Sequence, residues 1–169
     1  AHTDVPYQLV IVDNGSTDGT AEYGALAADD AVLHPSNTGF AAGMNSGLAA
    51  ARAPAVVFCN NDTVLPQGWA RRLLQTLDES AAPGIVVPAV TNAQNPLTVR
   101  HQPGVDRKIL DPFTAPPSAV IYMAPTSLMR EIGGWDESYQ VASGEDVDLA
   151  FTIWTNDLDI VLDERVLVE

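Results

Sequence analysis

Cysteine and long apolar runs are what this 169-residue sequence has least of. A single cysteine, Cys59, excludes an internal disulfide, and its place in an apolar segment predicts a buried thiol in a reducing compartment. No apolar run approaches the ~18 residues that a membrane span needs. We therefore expect a cytoplasmic protein.

Basic residues are also scarce. The sequence has 8 Lys and Arg against 22 Asp and Glu, for a formal net charge of −14. Such an excess repels nucleic-acid backbones, so we expect no nucleic-acid partner. With 46% hydrophobic residues, the chain can bury one core, which predicts a single domain over residues 1–169.

Strand-like and helix-like patterns alternate along the chain. The apolar segments 8–12, 31–33 and 55–59 each end in a polar turn, and helix-forming residues follow the first two. The uninterrupted apolar run 55–59 is typical of a strand buried in a parallel sheet. Two successive βαβ units predict an α/β, Rossmann-like fold with a mostly parallel sheet flanked by helices.

The segment 88–117 differs from the rest. It has several prolines and few periodic apolar residues, which predicts a long irregular loop. Loops of this length commonly cover a binding site, so we expect this one to become ordered on ligand binding.

Polar side chains follow three of the predicted strands. Asp13, Asn37 and Asp62 each lie just past a strand end, and ligands of open α/β sheets bind beyond the carboxyl ends of the strands. Asp13 has the chemistry to accept hydrogen bonds from a base or ribose. An Asx turn explains its Asp-Asn-Gly-Ser sequence equally well.

Two clusters that contain carboxylates are candidates for metal binding or catalysis. The triplet Asn60-Asn61-Asp62 offers amide and carboxylate oxygens, which suit Mg²⁺ or Mn²⁺ shared with a diphosphate, although a polar turn is the alternative. Glu145 and Asp146 begin a helical pattern, where they supply either a general base or a favourable interaction with the helix dipole. Trp135, nearby in sequence, either stacks on a sugar or fills the core.

Four segments, in order, resemble the family 2 glycosyltransferases of the GT-A fold, particularly their rhamnosyl- and galactofuranosyl-transferase-like branch. They are Val10–Thr20, Asn37–Asn45, Asn60–Asp62, and Gly133–Glu137 followed by Gly144–Leu149. The resemblance implies an inverting transfer of a hexosyl or deoxyhexosyl group from a nucleotide-diphosphate sugar to a glycan or lipid-linked acceptor. Such an acceptor would bring the chain to the inner face of the membrane.

The resemblance also implies a role for each matching residue. Asp62 would bind Mg²⁺ or Mn²⁺, Asp146 would be the catalytic base with Glu145 beside it, and Trp135 and Asp136 would lie on the acceptor side. The residues expected at the nucleotide sugar are Asp13, Asn14, Asn37, Gly39, Asn45, Asn60 and Asn61.

Relatives of this kind open with an apolar strand that this chain lacks, and they often continue past the position of Glu169. We therefore expect a catalytic domain that is incomplete at both ends. One alternative is a nucleotide-sugar-binding or scaffolding domain without turnover. Another is a sugar nucleotidyltransferase, which would normally show a Gly-rich triphosphate loop that is missing from this sequence.

Overall fold

The computed structural model describes residues 3–91, 107–113, 117, 120–139 and 144–169. Strands and helices alternate through most of this part of the chain. In chain order they are β1 Val10–Asp13, α1 Thr20–Ala27, β2 Asp30–Leu33, α2 Phe40–Ala50, β3 Ala55–Cys59, α3 Trp69–Glu79, β4 Pro83–Val90, β5 Arg107–Ile109, β6 Ile121–Pro125, α4 Thr126–Glu131, α5 Glu145–Thr155 and β7 Asp159–Val168.

The strands form two sheets. β1 and β2 are parallel partners, and the second sheet has the strand order β3-β6-β4-β7-β5. In the larger sheet only β4 and β7 pair in parallel, whereas β6 is antiparallel to both β3 and β4, and β5 is antiparallel to β7. The predicted α/β fold is confirmed, but the prediction of a mostly parallel sheet is wrong. The apolar run 55–59 correctly indicates a strand, but its pattern does not indicate whether the strand is parallel or antiparallel to its neighbour.

β1 lies between two helices that approach it closely. Gly24 of α1 sits against Ile11, and Gly47 of α2 sits against Val12, where an added Cβ would come within 3.0 and 3.1 Å of the strand side chains. Among the described residues β1 pairs only with β2, and β3 pairs only with β6. The two sheets are therefore not joined by strand pairing in this part of the chain.

Helices cover both faces of the larger sheet. On one face, Leu73 and Leu77 of α3 belong to a core cluster with Val86 and Met123. On the other face, Ile153 of α5 and residues of α2 and α4 share a second core cluster with the sheet. This three-layer arrangement buries the residues of both core clusters. No helix among the described residues is long and apolar enough to cross a membrane.

The predicted loop 88–117 is partly regular structure. β4 continues to Val90, and β5 lies at Arg107–Ile109, where it pairs with β7 and is followed by the buried Leu110. A three-residue strand with the sequence Arg-Lys-Ile shows no apolar alternation, so the pattern did not reveal it. Residues 92–106 and 114–116 of the predicted loop lie outside the described part of the chain.

Two further predictions are corrected. Cys59 is exposed at the end of β3 instead of buried. The spacing of the apolar residues Val147, Ala150, Phe151 and Trp154 predicts that they form the buried face of α5. In the structure the buried residues of this helix are Glu145, Leu149, Ala150 and Ile153, and Trp154 is 47% exposed.

Candidate functional site

Asp13 closes the turn after β1 and keeps one carboxylate oxygen free. Its Oδ2 accepts hydrogen bonds from the backbone N–H groups of Gly15 (3.2 Å) and Ser16 (3.0 Å), which confirms the Asx turn. Hydrogen bonding from Ser16 lowers the pKa of Asp13, although burial opposes it. Asp13 is only 3% exposed, and its Oδ1 is buried without a partner among the described residues. A donor group of a ligand would satisfy this oxygen.

Asn14 ties the turn after β1 to the turn after β2. Its Oδ1 accepts hydrogen bonds from the backbone N–H and the hydroxyl of Thr38, at 3.1 and 2.8 Å. Its Nδ2 donates to Asn37 Oδ1 (3.1 Å) and to the Gly39 carbonyl (2.9 Å). The amide is thus fully used within the protein in this structure, and the contact of Asn14 with the donor stays a prediction. Its role here is to hold two turns together.

Asn37 and Gly39 form the entry to α2. Asn37 Oδ1 also accepts the Gly39 N–H at 2.9 Å, and Asn37 Nδ2 has no hydrogen-bond partner in the described part of the chain. Gly39 is the residue before α2, and no side chain caps the helix there. The backbone N–H groups in the first turn of α2 are suited to bind phosphate oxygens.

The triplet after β3 is partly exposed. The Asn60 N–H donates to the Val120 carbonyl at 3.0 Å, whereas Asn61 and Asp62 are exposed. In the described ranges, no group of three or more His, Cys, Asp and Glu side chains is arranged to hold a metal. One exposed carboxylate with neighbouring amides does fit a Mg²⁺ or Mn²⁺ ion that takes its other ligands from substrate phosphates. These residues do not fit a site in which the protein supplies every metal ligand.

Glu145 and Asp146 differ in exposure at the start of α5. Glu145 is 5% exposed, and its Oε2 has no partner among the described residues. Asp146 is half-buried, and its Oδ1 accepts the Val147 N–H at 2.9 Å. Asp146 is therefore the more accessible carboxylate for a group arriving from solvent.

Tyr122 connects the acidic pair to the triplet after β3. Burial raises the pKa of Tyr122 well above its ordinary value, and the nearby charges of Asp146 and Glu145 raise it further. Tyr122 on β6 is paired with Phe58 on β3, two positions before Asn60. Tyr122 thus stands beside the strand that precedes the triplet, and the charges at the start of α5 act on its hydroxyl.

Trp135 fills the core. It is 2% exposed, and its ring lies edge-on to Phe40 and Phe58, each at a centroid distance of 5.5 Å, and to Tyr122 at 5.6 Å. Of the two alternatives for Trp135, stacking on a sugar or filling the core, the structure shows the core position. Asp136 next to it is exposed, and its Oδ1 accepts the Ser138 N–H at 2.8 Å, a hydrogen bond that lowers the pKa of Asp136.

Asn45 is turned toward this tryptophan. Its carboxamide is hydrogen-bonded to the backbone of Trp135 and to the side chain of Glu137. The carboxamide of Asn45 is thus engaged by the segment around Trp135 in this structure, and its contact with the donor stays a prediction. Nothing in the local sequence of α2 indicated a partner 90 positions away.

The sequence matches Glycosyl transferase family 2 over residues 2–136. It is also similar to the pre-mycofactocin glycosyltransferase of Mycobacterium tuberculosis, with 31% identity over 163 residues, which covers 86% of this chain and 33% of that protein. The chain thus spans about a third of the length of this curated relative.

Solved structures show the same fold. S. aureus TarS in complex with UDP-GlcNAc is similar at a TM-score of 0.75 and 16% identity, covering 95% of this chain and 49% of that one. The mannosyltransferase PcManGT from Pyrobaculum calidifontis, in complex with GDP-Man and Mn²⁺, is similar at a TM-score of 0.64 and 18% identity, covering 95% and 46%. The architecture is the GT-A fold of glycosyltransferases.

Proposed function

The chain belongs to glycosyl transferase family 2, and on that basis we propose that it catalyses an inverting, metal-dependent transfer from a nucleotide-diphosphate sugar to an acceptor hydroxyl. The sugar is a hexosyl or deoxyhexosyl group, with the rhamnosyl- or galactofuranosyl-transferase-like branch as the specific candidate. The acceptor is a glycan or a lipid-linked glycan at the inner face of the membrane.

The observation that carries this proposal is the free Oδ1 of Asp13. A buried carboxylate oxygen without a donor is costly to leave unsatisfied, and Asp13 stands beside the bridged turns of Asn14 and Asn37. In the proposed complex a nucleoside N–H or ribose hydroxyl donates to Oδ1. Asn37 Nδ2 and the backbone of Asn60 and Asn61 lie toward the ribose and diphosphate.

The protein's charge makes a cation necessary for donor binding. A net charge of −14 repels a diphosphate, and Asp62 adds to that repulsion unless a metal lies between them. Mg²⁺ or Mn²⁺ held by Asp62 would offset the negative charge that develops on the departing nucleoside diphosphate. PcManGT is described with GDP-Man and Mn²⁺, and TarS with UDP-GlcNAc, which supports a metal and a nucleotide sugar without fixing the base.

Asp146 is the proposed base. Its carboxylate takes the proton of the acceptor hydroxyl while that oxygen bonds to the anomeric carbon of the sugar. The bond from this carbon to the diphosphate breaks, and the nucleoside diphosphate leaves with the electron pair. Because attack and departure occur on opposite faces, the anomeric configuration is inverted.

The test is NMR analysis of the full-length protein incubated with UDP-GlcNAc and with GDP-Man, in Mn²⁺ or in EDTA. We expect metal-dependent loss of one donor and, from these α-linked donors, a β-configured sugar in the first product, including sugar transferred to water. An α-configured first product would contradict the single displacement. Binding without turnover, across a panel of sugar nucleotides and glycan acceptors, would support the non-catalytic binding domain.

A further inference from the structure

The carboxamide of Asn45 pairs with the backbone of Trp135 in the way a neighbouring strand would. Asn45 Oδ1 accepts the Trp135 N–H at 2.9 Å, and Asn45 Nδ2 donates to the Trp135 carbonyl at 2.9 Å. The second hydrogen of Nδ2 goes to Glu137 Oε1 at 2.8 Å. One side chain of α2 thus holds the segment that follows α4 at two positions.

Gly134 is shaped to admit this carboxamide. Its φ of +77° is in the left-handed region, and a Cβ at this position would overlap Asn45 Oδ1. The Gly134 N–H is itself anchored to the Met129 carbonyl of α4 at 2.8 Å. The backbone therefore leaves room for Asn45 from one side and is fixed from the other.

Asn45 has no local reason to occupy the interior of a helix. Asn is a weaker helix former than the alanines around it, and its side chain tends to compete for backbone hydrogen bonds. In the described part of the chain its side chain makes no hydrogen bond to its own helix, and its hydrogen-bond partners are all in the segment 133–139. The contact across the fold is what its position provides.

The held segment leads to both sides of the proposed site. The Trp135 ring contacts Phe40 at the start of α2, next to the turns bridged by Asn14, and it contacts Tyr122 on the other side. The end of the held segment also lies against α5, because the Tyr139 ring contacts Gly144, the residue before this helix. A shift of the Trp135 backbone would therefore move the packing between the nucleotide-side turns and the acidic start of α5.

We propose that Asn45 is a positioning residue whose carboxamide, seated against Gly134, holds the segment 133–139 and thereby sets Asp146 relative to the bound donor. This inference rests on the proposed glycosyl transfer for its effect on turnover. Its structural half, the holding of Trp135, stands independently of any reaction. In this proposal Asn45 itself touches neither donor nor acceptor.

The first experiment compares the protein with Asn45→Ala by hydrogen exchange and kinetics. We expect faster exchange of the Trp135 amide and of the segment 133–139. Turnover of the donor that the unmodified protein consumes in the NMR experiment should fall about 10- to 100-fold. The donor dissociation constant should change by less than about twofold, because the nucleotide-side contacts remain. Ser46→Ala is the control, since Ser46 bonds to Ala42 and His34 instead of this segment, and should leave the exchange of residues 133–139 unchanged.

The second experiment reverses the hydrogen bond between Asn45 and Glu137. Asn45→Asp sets a carboxylate against Glu137, and we expect faster exchange of the segment and lower turnover. Adding Glu137→Gln supplies a donor for the new carboxylate, so the double variant should recover part of both losses. Such a recovery distinguishes specific positioning from general destabilisation of the fold.

Three results would overturn the proposal. They are unchanged exchange at Trp135 in Asn45→Ala, a loss of donor affinity as large as the loss of turnover, and failure of Glu137→Gln to rescue Asn45→Asp in either exchange or turnover. If the unmodified protein transfers no sugar, the proposed function fails, whereas the exchange measurements still decide whether Asn45 holds the segment.

Discussion

Asn14 donates a hydrogen bond from Nδ2 to Oδ1 of Asn37 across 3.1 Å, and this bond joins the two turns that end β1 and β2. The strands are parallel, so both turns lie at the same edge of the small sheet. The bond carries no charge and is exposed, yet the same Asn14 amide also holds Thr38 and Gly39. Asn14 thus determines the arrangement around Asp13.

The first prediction concerns this bridge. Asn14→Asp replaces the N–H donor facing Asn37 Oδ1 and the Gly39 carbonyl with an oxygen, so two hydrogen bonds are lost and a carboxylate oxygen faces two acceptor oxygens. We expect a loss of about 1–3 kcal/mol in the free energy of unfolding, measured with urea, and weaker binding of UDP or GDP in Mn²⁺ by calorimetry. The exposed Thr17→Ala, in the same turn region, should change neither quantity. Native-like stability and affinity in Asn14→Asp would show that the bridge is unimportant.

The second prediction is that Asp62 supplies the metal dependence of donor binding. Calorimetry of UDP and GDP, with Mn²⁺ and with EDTA, should show tighter binding with metal by about tenfold or more, which is about 1.4 kcal/mol per tenfold. Asp62→Ala should abolish the difference between the two conditions. Asp78→Ala, which removes the same charge from an exposed position on α3, should preserve it. Equal affinity in all samples would exclude a metal site at Asp62.

The third prediction concerns a buried ionic group on β7 that contacts α3. Asp163 is fully buried and accepts two hydrogen bonds from the Arg165 guanidinium, at 2.8 and 2.7 Å, and one from the Thr76 hydroxyl at 2.5 Å. Asp163→Asn breaks this group, and we expect a loss on the order of 3 kcal/mol in unfolding free energy by urea denaturation. Asp78→Asn, the same change on the exposed surface of α3, should be nearly neutral.

The contribution of Asp163 also depends on pH. Burial raises the pKa of Asp163, but the hydrogen bonds from Arg165 and Thr76 outweigh it, so the pKa lies below its ordinary value of 3.8. A lowered pKa stabilises the folded state above pH 3.8, and that contribution is lost as the pH falls through the folded-state value. The stability difference between the protein and Asp163→Asn should therefore be constant near pH 6 and shrink below pH 3.8. If the stability difference between the two proteins grew as the pH fell, the pKa of Asp163 would not be lowered in the folded state.

The sequence predicted the turns after β1 and β2 because their signal is local. Asp13 and Asn37 each follow an apolar run directly, so the edge they occupy is determined by the strands before them. The positions of α1 and α2 were predicted for the same reason, from helix-forming residues that follow turn signals. Strand direction in the larger sheet was not, because an apolar run such as residues 55–59 has the same pattern in parallel and antiparallel pairs.

The roles of Trp135 and Asn45 depended on distant contacts. A tryptophan beside an acidic cluster suits a sugar platform or a core position equally, and only the rings of Phe40, Phe58 and Tyr122 decide between them. Asn45 shares a segment with Asn37 and Gly39, which suggested a common ligand. Its partner is instead the backbone of Trp135, at a separation of 90 residues.

The most direct test of the account is the transfer rate of Asp146→Asn in the full-length protein, with donor affinity measured in parallel. This substitution keeps the shape and removes the proton acceptor, so turnover should fall by ~10²- to 10⁴-fold while the donor dissociation constant stays nearly unchanged. Glu145→Gln should reduce turnover less, because Glu145 is buried beside the base and points away from solvent. Near-native turnover in Asp146→Asn would contradict the assignment of the base and, with it, the proposed mechanism.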